Sequence, residues 1–138
     1  MADRHARGLV DTSVVIDLER IDPAHLPVEL TVSAVTLAEL AAGPHATSDT
    51  DERARRQDRL QRAEAAFDPM PFDVTAARAY GRIYAAVLNG GQKARGRRAI
   101  DLLIAATALG AGLPLYTLNP DDFGAVATML TIVGVEPS

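Results

Sequence analysis

The sequence contains no cysteine and only three histidines among its 138 residues. The absence of cysteine excludes both a disulfide framework and a thiolate metal site. His5, His25 and His45 fall in segments predicted to be tail or loop, without the spacing of a helical or strand-turn metal site. We therefore expect any metal ion to be bound by oxygen ligands, and we expect the three histidines to be solvated.

Basic charge is also in short supply, since 18 acidic residues outnumber 14 lysines and arginines and give a formal net charge of −4. A broadly basic surface that neutralises many phosphates is therefore excluded. The charge balance does not exclude an acidic site that recruits divalent cations and uses a few local basic residues to contact a nucleic acid.

Long uninterrupted hydrophobic segments are lacking too. The segment Leu102–Pro120 contains no charged residue and approaches the roughly 20 residues that span a bilayer, but Gly110, Gly112 and Pro114 divide it into a helix and a strand. The N-terminal segment Met1–Gly8 is polar and leads into no apolar stretch, so no secretory signal is expected. The sequence therefore predicts a cytoplasmic protein.

The chain does contain enough apolar surface for one compact unit, because 48% of its residues are hydrophobic, and residues 1–138 are predicted to form a single domain. Apolar runs that predict strands alternate with segments of helical periodicity, which indicates an α/β fold with a central parallel sheet flanked by helices on both faces. The predicted strands are Leu9–Val10, Leu30–Ser33, Leu113–Thr117 and Leu130–Val135. The predicted helices are one capped by Thr12 or Ser13 and ending near Glu19, one capped by Ser33 over Ala34–Ala42 and closed by Gly43-Pro44, then Glu52–Phe67, Asp73 or Thr75 to about Leu88, Ala99–Leu109 and Asp121–Thr128.

Acidic residues follow two of the predicted strands at the point where each strand ends. Asp11 comes directly after the first strand, and Asp121 and Asp122 follow the third, each at a strand-to-helix junction. Open α/β sheets place their ligand crevice at this carboxyl edge. Each acid alone is also compatible with a helix cap or an Asx turn, so the pattern matters more than any member.

Two further acids lie on otherwise uncharged helices. Glu39 is the only charged residue of the predicted helix Ala34–Ala42, and Asp101 precedes the uncharged run 102–109. An ionised carboxylate against such a surface is costly unless it is paired or bound to a metal. For Asp101 the alternative is stabilisation by the helix dipole, which contributes about 0.3–1 kcal/mol near a helix N-terminus.

Several converging carboxylates without thiol or imidazole partners favour a hard cation, Mg²⁺ or Mn²⁺. Such a site suits phosphodiester hydrolysis, because one metal ion activates a bound water and a second stabilises the leaving oxygen; the sequence leaves open whether one or two ions bind. A metal-free pair of acids, as in glycosidases, is disfavoured because so many acids would repel one another.

Four segments spread over nearly the whole chain carry a resemblance to a known family. The chain resembles the VapC-type PIN-domain toxins of bacterial toxin–antitoxin pairs, which implies that residues 1–138 form a PIN-like nuclease domain acting as a metal-dependent endoribonuclease. The segments are specific together and weak singly. They are L-V-D-T-S-V-V-I-D-L at Leu9–Leu18, V-S-A-V-T-L-A-E-L at Val32–Leu40, D-L-L-I-A-A-T-A at Asp101–Ala108 and L-Y-T-L-N-P-D-D-F at Leu115–Phe123.

The resemblance assigns catalytic and metal-binding roles to four acids, with Mg²⁺ as cofactor and Mn²⁺ as the alternative. These are Asp11, Glu39, Asp101 and Asp122. Asp122 matches the last acid of the family's T-x-N/D-x-x-D-F segment, and Asp121 and Asn119 remain alternatives for the fourth ligand, although the amide of Asn119 is a weaker one. The supporting residues expected beside the ligands are Thr12, Ser13, Thr117 and Asn119, the three hydroxyls being expected to orient Asp11.

The resemblance also implies partners: an RNA substrate, a second copy of the chain in a homodimer, and a VapB-like antitoxin whose C-terminal segment covers the groove. Basic residues just before Asp101 have two interpretations, as a grip on RNA phosphates or as a solvated loop. They are Lys93, Arg95, Arg97 and Arg98. The arginines between positions 53 and 62 alternate with acids, which favours a solvated helix face.

Two other functions fit parts of the pattern. A receiver or haloacid-dehalogenase-like phosphotransfer domain also has an Asp after its first strand. However, the dehalogenase-type site is D-x-D, whereas Ser13 stands where the second acid belongs, and the sole lysine, Lys93, is not at a strand end. An inactive PIN-like module that only binds RNA or a partner is the other alternative, and the complete set of four acids argues against it.

Overall fold

The fold is described from a computed structural model that covers residues 4–138. Met1–Asp3 lie outside the described residues, and part of the expectation about a secretory signal falls on them. Four strands form one parallel sheet in the order β2-β1-β3-β4. In the sheet, Leu9 of β1 is opposite Thr31 of β2 and Leu115 of β3. The strands are β1 (Arg7–Val10), β2 (Glu29–Thr31), β3 (Leu115–Thr117) and β4 (Ile132–Gly134).

Five α-helices connect and cover the strands, with short 3₁₀ helices in the connections. Four of these α-helices of the described chain begin at side-chain caps that the sequence makes available: Asp11, Ser33, Asp49 and Asp73 each accept a hydrogen bond from a backbone N–H of the first turn. The helices are α1 (Thr12–Ile16), α2 (Ala34–Ala42), α3 (Thr50–Ala66), α4 (Val74–Asn89) and α5 (Arg97–Ala111). The 3₁₀ helices are Leu18–Arg20, Pro23–His25, Gly43–Ala46 and Pro120–Val126.

The two faces of the sheet bury different residues of the same strands, because successive side chains of a strand point to opposite faces. Leu9 and Leu115 pack with α4 and α5 in one hydrophobic cluster. Val10 and Tyr116, the next residues along β1 and β3, pack with α1 and α3 in the other cluster. The predicted α/β class, with a parallel sheet and helices on both faces, is therefore confirmed.

Several predicted boundaries need correction. The cap of α1 is Asp11, whose side chain accepts from Val14 N–H, rather than Thr12 or Ser13, and α1 ends at Ile16 instead of continuing to Glu19. Gly43-Pro44 do close α2 after Ala42, as predicted, and the chain continues as the 3₁₀ helix Gly43–Ala46, whose first turn accommodates the proline.

The helix that carries Asp101 is longer than predicted at both ends. It begins at Arg97 rather than Ala99, and it ends at Ala111, where Gly112 adopts the left-handed conformation with φ of 68°. Glycine supplies this conformation without steric cost, so the end of α5 is set two residues beyond the predicted Leu109. The segment after β3 is a 3₁₀ helix, Pro120–Val126, rather than a helix over Asp121–Thr128.

Two expectations about the surface can also be compared with the structure. His5, His25 and His45 are all exposed, as predicted. Within residues 4–138, no helix has both the length and the hydropathy needed to cross a bilayer.

Candidate functional site

Asp11 lies at the carboxyl end of β1, one of the two central strands, and is only 4% exposed. Its carboxylate accepts hydrogen bonds from Val14 N–H (3.1 Å) and from the Ser13 hydroxyl (2.6 Å). The first bond caps α1, so the strand, the cap and the helix together fix the carboxylate. A buried acid held in this way has a fixed position and orientation, unlike a mobile surface charge.

Three hydroxyls were expected to orient Asp11. Among the described hydrogen bonds, only the Ser13 hydroxyl donates to the Asp11 carboxylate. The Ser13 hydroxyl also accepts from Leu118 N–H at 3.1 Å, which links Asp11 to the segment after β3. The Thr117 hydroxyl accepts from Asn119 N–H at 3.0 Å and so shapes the turn before the 3₁₀ helix Pro120–Val126. Thr12 and Thr117 were expected to orient Asp11, but their hydroxyls contact neighbouring parts of the site instead.

Glu39 is held by the hydroxyl that was expected beside Asp11. The Thr12 hydroxyl donates to Glu39 Oε1 at 2.5 Å and lies 3.1 Å from the hydroxyl of Thr36, which is fully buried. Thr36 was not predicted as a site residue, but it precedes Glu39 by three positions and therefore shares its face of α2. The first residue of α1 thus positions an acid of α2.

Removing the Thr12 hydroxyl is expected to loosen Glu39. We predict that Thr12→Val reduces metal-dependent cleavage of RNA by roughly 10–100-fold, the usual effect of losing a partner of a metal ligand. Thr12→Ser, which keeps the hydroxyl, is the matched control and is expected to stay within a few-fold of wild type. Initial rates at saturating metal would measure both variants, and equal rates for Val and wild type would contradict the positioning role.

Asp101 lies in the second turn of α5, because the helix begins at Arg97 and has no acid in its first turn. The helix dipole acts mainly within the first turn, so it does not account for this carboxylate. Burial raises the pKa of Asp101 to about 6; the guanidinium of Arg97 opposes this rise, and the charges of Asp11, Glu39 and Asp122 add to it. The four predicted acids therefore lie close enough for three of them to influence the fourth.

Asp122 is exposed in the first turn of the 3₁₀ helix Pro120–Val126, beside the buried Phe123 that anchors this segment in the core. Its charge is among those that raise the pKa of Asp101, whereas no such effect appears for Asp121. Asn119 contributes its carbonyl oxygen, which accepts from Asp122 N–H at 3.1 Å. This arrangement favours Asp122 over Asp121 as the fourth acid.

The side chains are near one another without forming a ready-made set of ligands. Within residues 4–138, no three histidine, aspartate or glutamate side chains are close enough together to hold one metal ion. The donor chemistry nevertheless fits a hard cation, since every available donor of the four acids is a carboxylate oxygen.

Arg97 is the basic residue that enters this acidic region. Its Nη1 lies 3.5 Å from Glu39 Oε2. This residue, which was predicted to contact RNA phosphates, therefore forms an ion pair with a predicted metal ligand. Arg98 instead donates to Gln92, and the exposed Lys93 and Arg95 form no ion pair among the described residues. Their role in RNA binding stays a prediction.

Comparison with known proteins identifies the family. The family model described as "PIN domain" matches residues 8–128. The chain is 37% identical to Ribonuclease VapC5 of Mycobacterium tuberculosis over 129 residues, which are 91% of this chain and 92% of that protein. It is 30% identical to Ribonuclease VapC of Rickettsia bellii over 126 residues, 83% of this chain and 87% of the relative.

A solved structure agrees with these sequence relatives. The crystal structure described as a member of the VapBC family of toxin-antitoxin systems, VapBC-5 from Mycobacterium tuberculosis, superposes with a TM-score of 0.81 at 38% identity. The match covers 94% of this chain and 99% of that one. The family model, the sequence relatives and the shared fold together show that the chain belongs to the VapC group of the PIN-domain family.

Proposed function

We propose that the chain is an endoribonuclease toxin that hydrolyses RNA phosphodiester bonds with Mg²⁺, or alternatively Mn²⁺, held by the four acids at the carboxyl edge of the sheet. The observation that carries this proposal is the set of contacts that joins the acidic elements at this edge: Asp11 is bonded through Ser13 to the segment after β3, and Glu39 is bonded to Thr12 of α1 and ion-paired with Arg97 of α5, the helix of Asp101. The charges of Asp11, Glu39 and Asp122 also add to the burial that raises the pKa of Asp101. The names of the relatives, which are ribonucleases, support the choice of RNA as substrate.

Each residue has a distinct part in the proposed reaction. When bound, the metal would supply an activated water and stabilise negative charge on the phosphate. Asp11 is the most rigid ligand because Ser13 and Val14 fix both its position and its orientation. Glu39 is oriented by Thr12, and the guanidinium of Arg97 balances part of the acidic charge beside it.

The proposed partners are a second copy of the chain and a VapB-like antitoxin. Support for the antitoxin comes from the solved relative, which is a member of a toxin–antitoxin family. Support for a homodimer comes from α4, where Tyr84 and Leu88, one turn apart, are 43% and 48% exposed. Large apolar side chains placed together on a surface are typical of an interface.

A cleavage assay tests the proposed activity. Single-stranded RNA of mixed sequence is expected to be cut with Mg²⁺ or Mn²⁺ and to stay intact with EDTA. Because water rather than the ribose 2′-hydroxyl is the proposed nucleophile, a strand with 2′-deoxyribose at the cut position should still be cleaved, which separates this activity from contaminating ribonucleases that use the 2′-hydroxyl. Binding of RNA without any cleavage would instead favour the inactive PIN-like module.

The natural substrate requires a measurement in cells. Sequencing the new RNA ends that appear after induced expression would identify which RNA is cut, because transfer, ribosomal and messenger RNA all present the same phosphodiester to these acids. Co-expression of a VapB-like protein would test the proposed antitoxin, since it should prevent the appearance of these new RNA ends.

A further inference from the structure

A polar cavity borders the proposed metal site on the side of α3. Its volume is about 410 Å³, many times the roughly 30 Å³ that one water occupies in the liquid. Thr12 and Glu39 form the wall shared with the acidic site, and arginine side chains reach it from two helices. These arginines are Arg56 and Arg59 of α3 and Arg97 of α5.

The cavity presents more positive than negative charge, in a chain whose net charge is −4. Three arginines line it against two glutamates, Glu39 and Glu52. Both glutamates are already engaged: Glu39 by Thr12 and Arg97, and Glu52 by Arg55 and Arg56, whose hydrogen bonds lower the pKa of Glu52. The charge left for a ligand is therefore cationic.

Arg56 forms a fixed part of this wall. Its Nη1 donates to the Gly43 carbonyl oxygen at 2.9 Å, and its Nε donates to Glu52 at 3.1 Å.

Arg59 differs from the other arginines of its helix. Arg53, Arg55, Arg56 and Arg62 each donate to a carboxylate or a backbone carbonyl, whereas Arg59 has no hydrogen bond or ion pair with any residue between 4 and 138. It is nevertheless half-buried. A planar guanidinium held beside a cavity without a carboxylate partner is suited to a phosphate, which it can contact with two parallel N–H groups.

We propose that Arg59, supported by Arg56, forms a subsite for a backbone phosphate of single-stranded RNA next to the phosphodiester that is cut. The inference rests on the proposed function and names a contact of that same site. It corrects the interpretation of the 53–62 arginines as one solvated face, because Arg59, which also borders a neighbouring groove beside Asp58, lines the cavity that Glu39 shares. The RNA strand would then run from the acidic edge of the sheet towards α3.

RNA binding is measured first, in the Asp11→Asn background so that cleavage does not interfere. Arg59→Gln is expected to weaken binding of a short single-stranded RNA by roughly tenfold, as for the loss of a charge-assisted contact. The slope of log affinity against log salt should fall by about 0.7, the value for one phosphate on a single strand. Arg62→Gln is the matched control, since it removes the same charge from the same helix, and neither Arg62 nor its ion-pair partners Glu19 and Asp58 line this cavity. It should change affinity less than twofold.

A modified RNA then locates the contact. One phosphate at a time is replaced with a neutral methylphosphonate. In the protein that retains Arg59, binding should weaken most when the replaced phosphate is at one position beside the cut. In the Arg59→Gln variant, replacement at that position should have no effect on binding. Arg59→Lys, which keeps the charge, should regain part of the affinity, and circular dichroism checks that all variants are folded.

The outcomes separate the two proposals. Equal weakening by Arg59→Gln and Arg62→Gln, or loss of affinity with no phosphate position singled out, would overturn the subsite while metal-dependent cleavage by the wild type still stood. Absence of metal-dependent cleavage with a selective Arg59 effect on binding would overturn the proposed enzyme and keep the contact. Absence of any RNA binding would overturn both.

Discussion

Asp11→Asn is expected to lower metal-dependent RNA cleavage by roughly a thousandfold or more, because it removes a charged ligand from the centre of the proposed site and the metal contributes several kcal/mol to the barrier. The fold should remain, since an asparagine oxygen can still accept from Val14 N–H and cap α1. Initial cleavage rates, with thermal unfolding as the check on the fold, measure both effects.

The matched control for this substitution is Asp73→Asn. Asp73 caps α4 in the same way, accepting from Ala76 N–H at 2.9 Å, but it is exposed and belongs to a different part of the chain. Cleavage by this variant should match that of the wild type. If Asp11→Asn and wild type cleaved RNA equally, the catalytic assignment would be rejected.

Asp101→Asn is expected to change stability and activity in opposite directions. The pKa of Asp101 is raised from 3.8 to about 6, so the folded state binds more protons than the unfolded state between these values, and stability falls as pH rises through them. Above pH 6 the folded protein carries a disfavoured charge that asparagine removes. The variant should therefore be more stable by about 1–2 kcal/mol at pH 8 in EDTA, after allowing for solvent screening at a half-buried group.

The same substitution should nearly abolish cleavage and remove the stabilisation by Mg²⁺, because a ligand that binds the folded state raises its stability. Denaturant unfolding at pH 8 and at pH 3.5, with and without Mg²⁺, measures this. The gain in stability should nearly vanish at pH 3.5, where the carboxyl is neutral in the folded state and mostly protonated in the unfolded state. Asp68→Asn, at an exposed loop position, is the control. A loss of stability at pH 8 in Asp101→Asn would contradict a destabilising charge at this position.

The elements that sequence patterns predicted best are those fixed by local chemistry. The helix Ala34–Ala42 with its cap Ser33 agrees with the prediction residue for residue, because the cap and the helical periodicity lie within one short segment. The grouping of acids at the carboxyl edge follows from the parallel sheet, in which Asp11 and the segment containing Asp122 follow neighbouring strands. Their individual roles remain predictions.

The contacts that sequence could not provide depend on how helices are oriented in space. Thr12 was expected to face Asp11, but the first turn of α1 directs its hydroxyl to Glu39 on another helix. Arg97 was expected in a loop, and the earlier start of α5 places it beside Glu39 instead. The acids interleaved with the arginines at 53–62 predicted a solvated face, but Glu52 and Asp58 pair with other arginines and Arg59 lines the cavity beside Glu39.

The hydrogen bond from Leu118 N–H to the Ser13 hydroxyl joins positions 105 apart in the chain. Because β3 pairs directly with β1, the support of Asp11 is completed only after the last quarter of the polypeptide has been synthesised and has docked. Contacts between distant positions form late, since closing a long loop costs entropy before any contact is gained. A nascent chain on the ribosome that still lacks β3 would thus expose Asp11 without these neighbours. The site around Asp11 would become complete in one cooperative step at the end of translation.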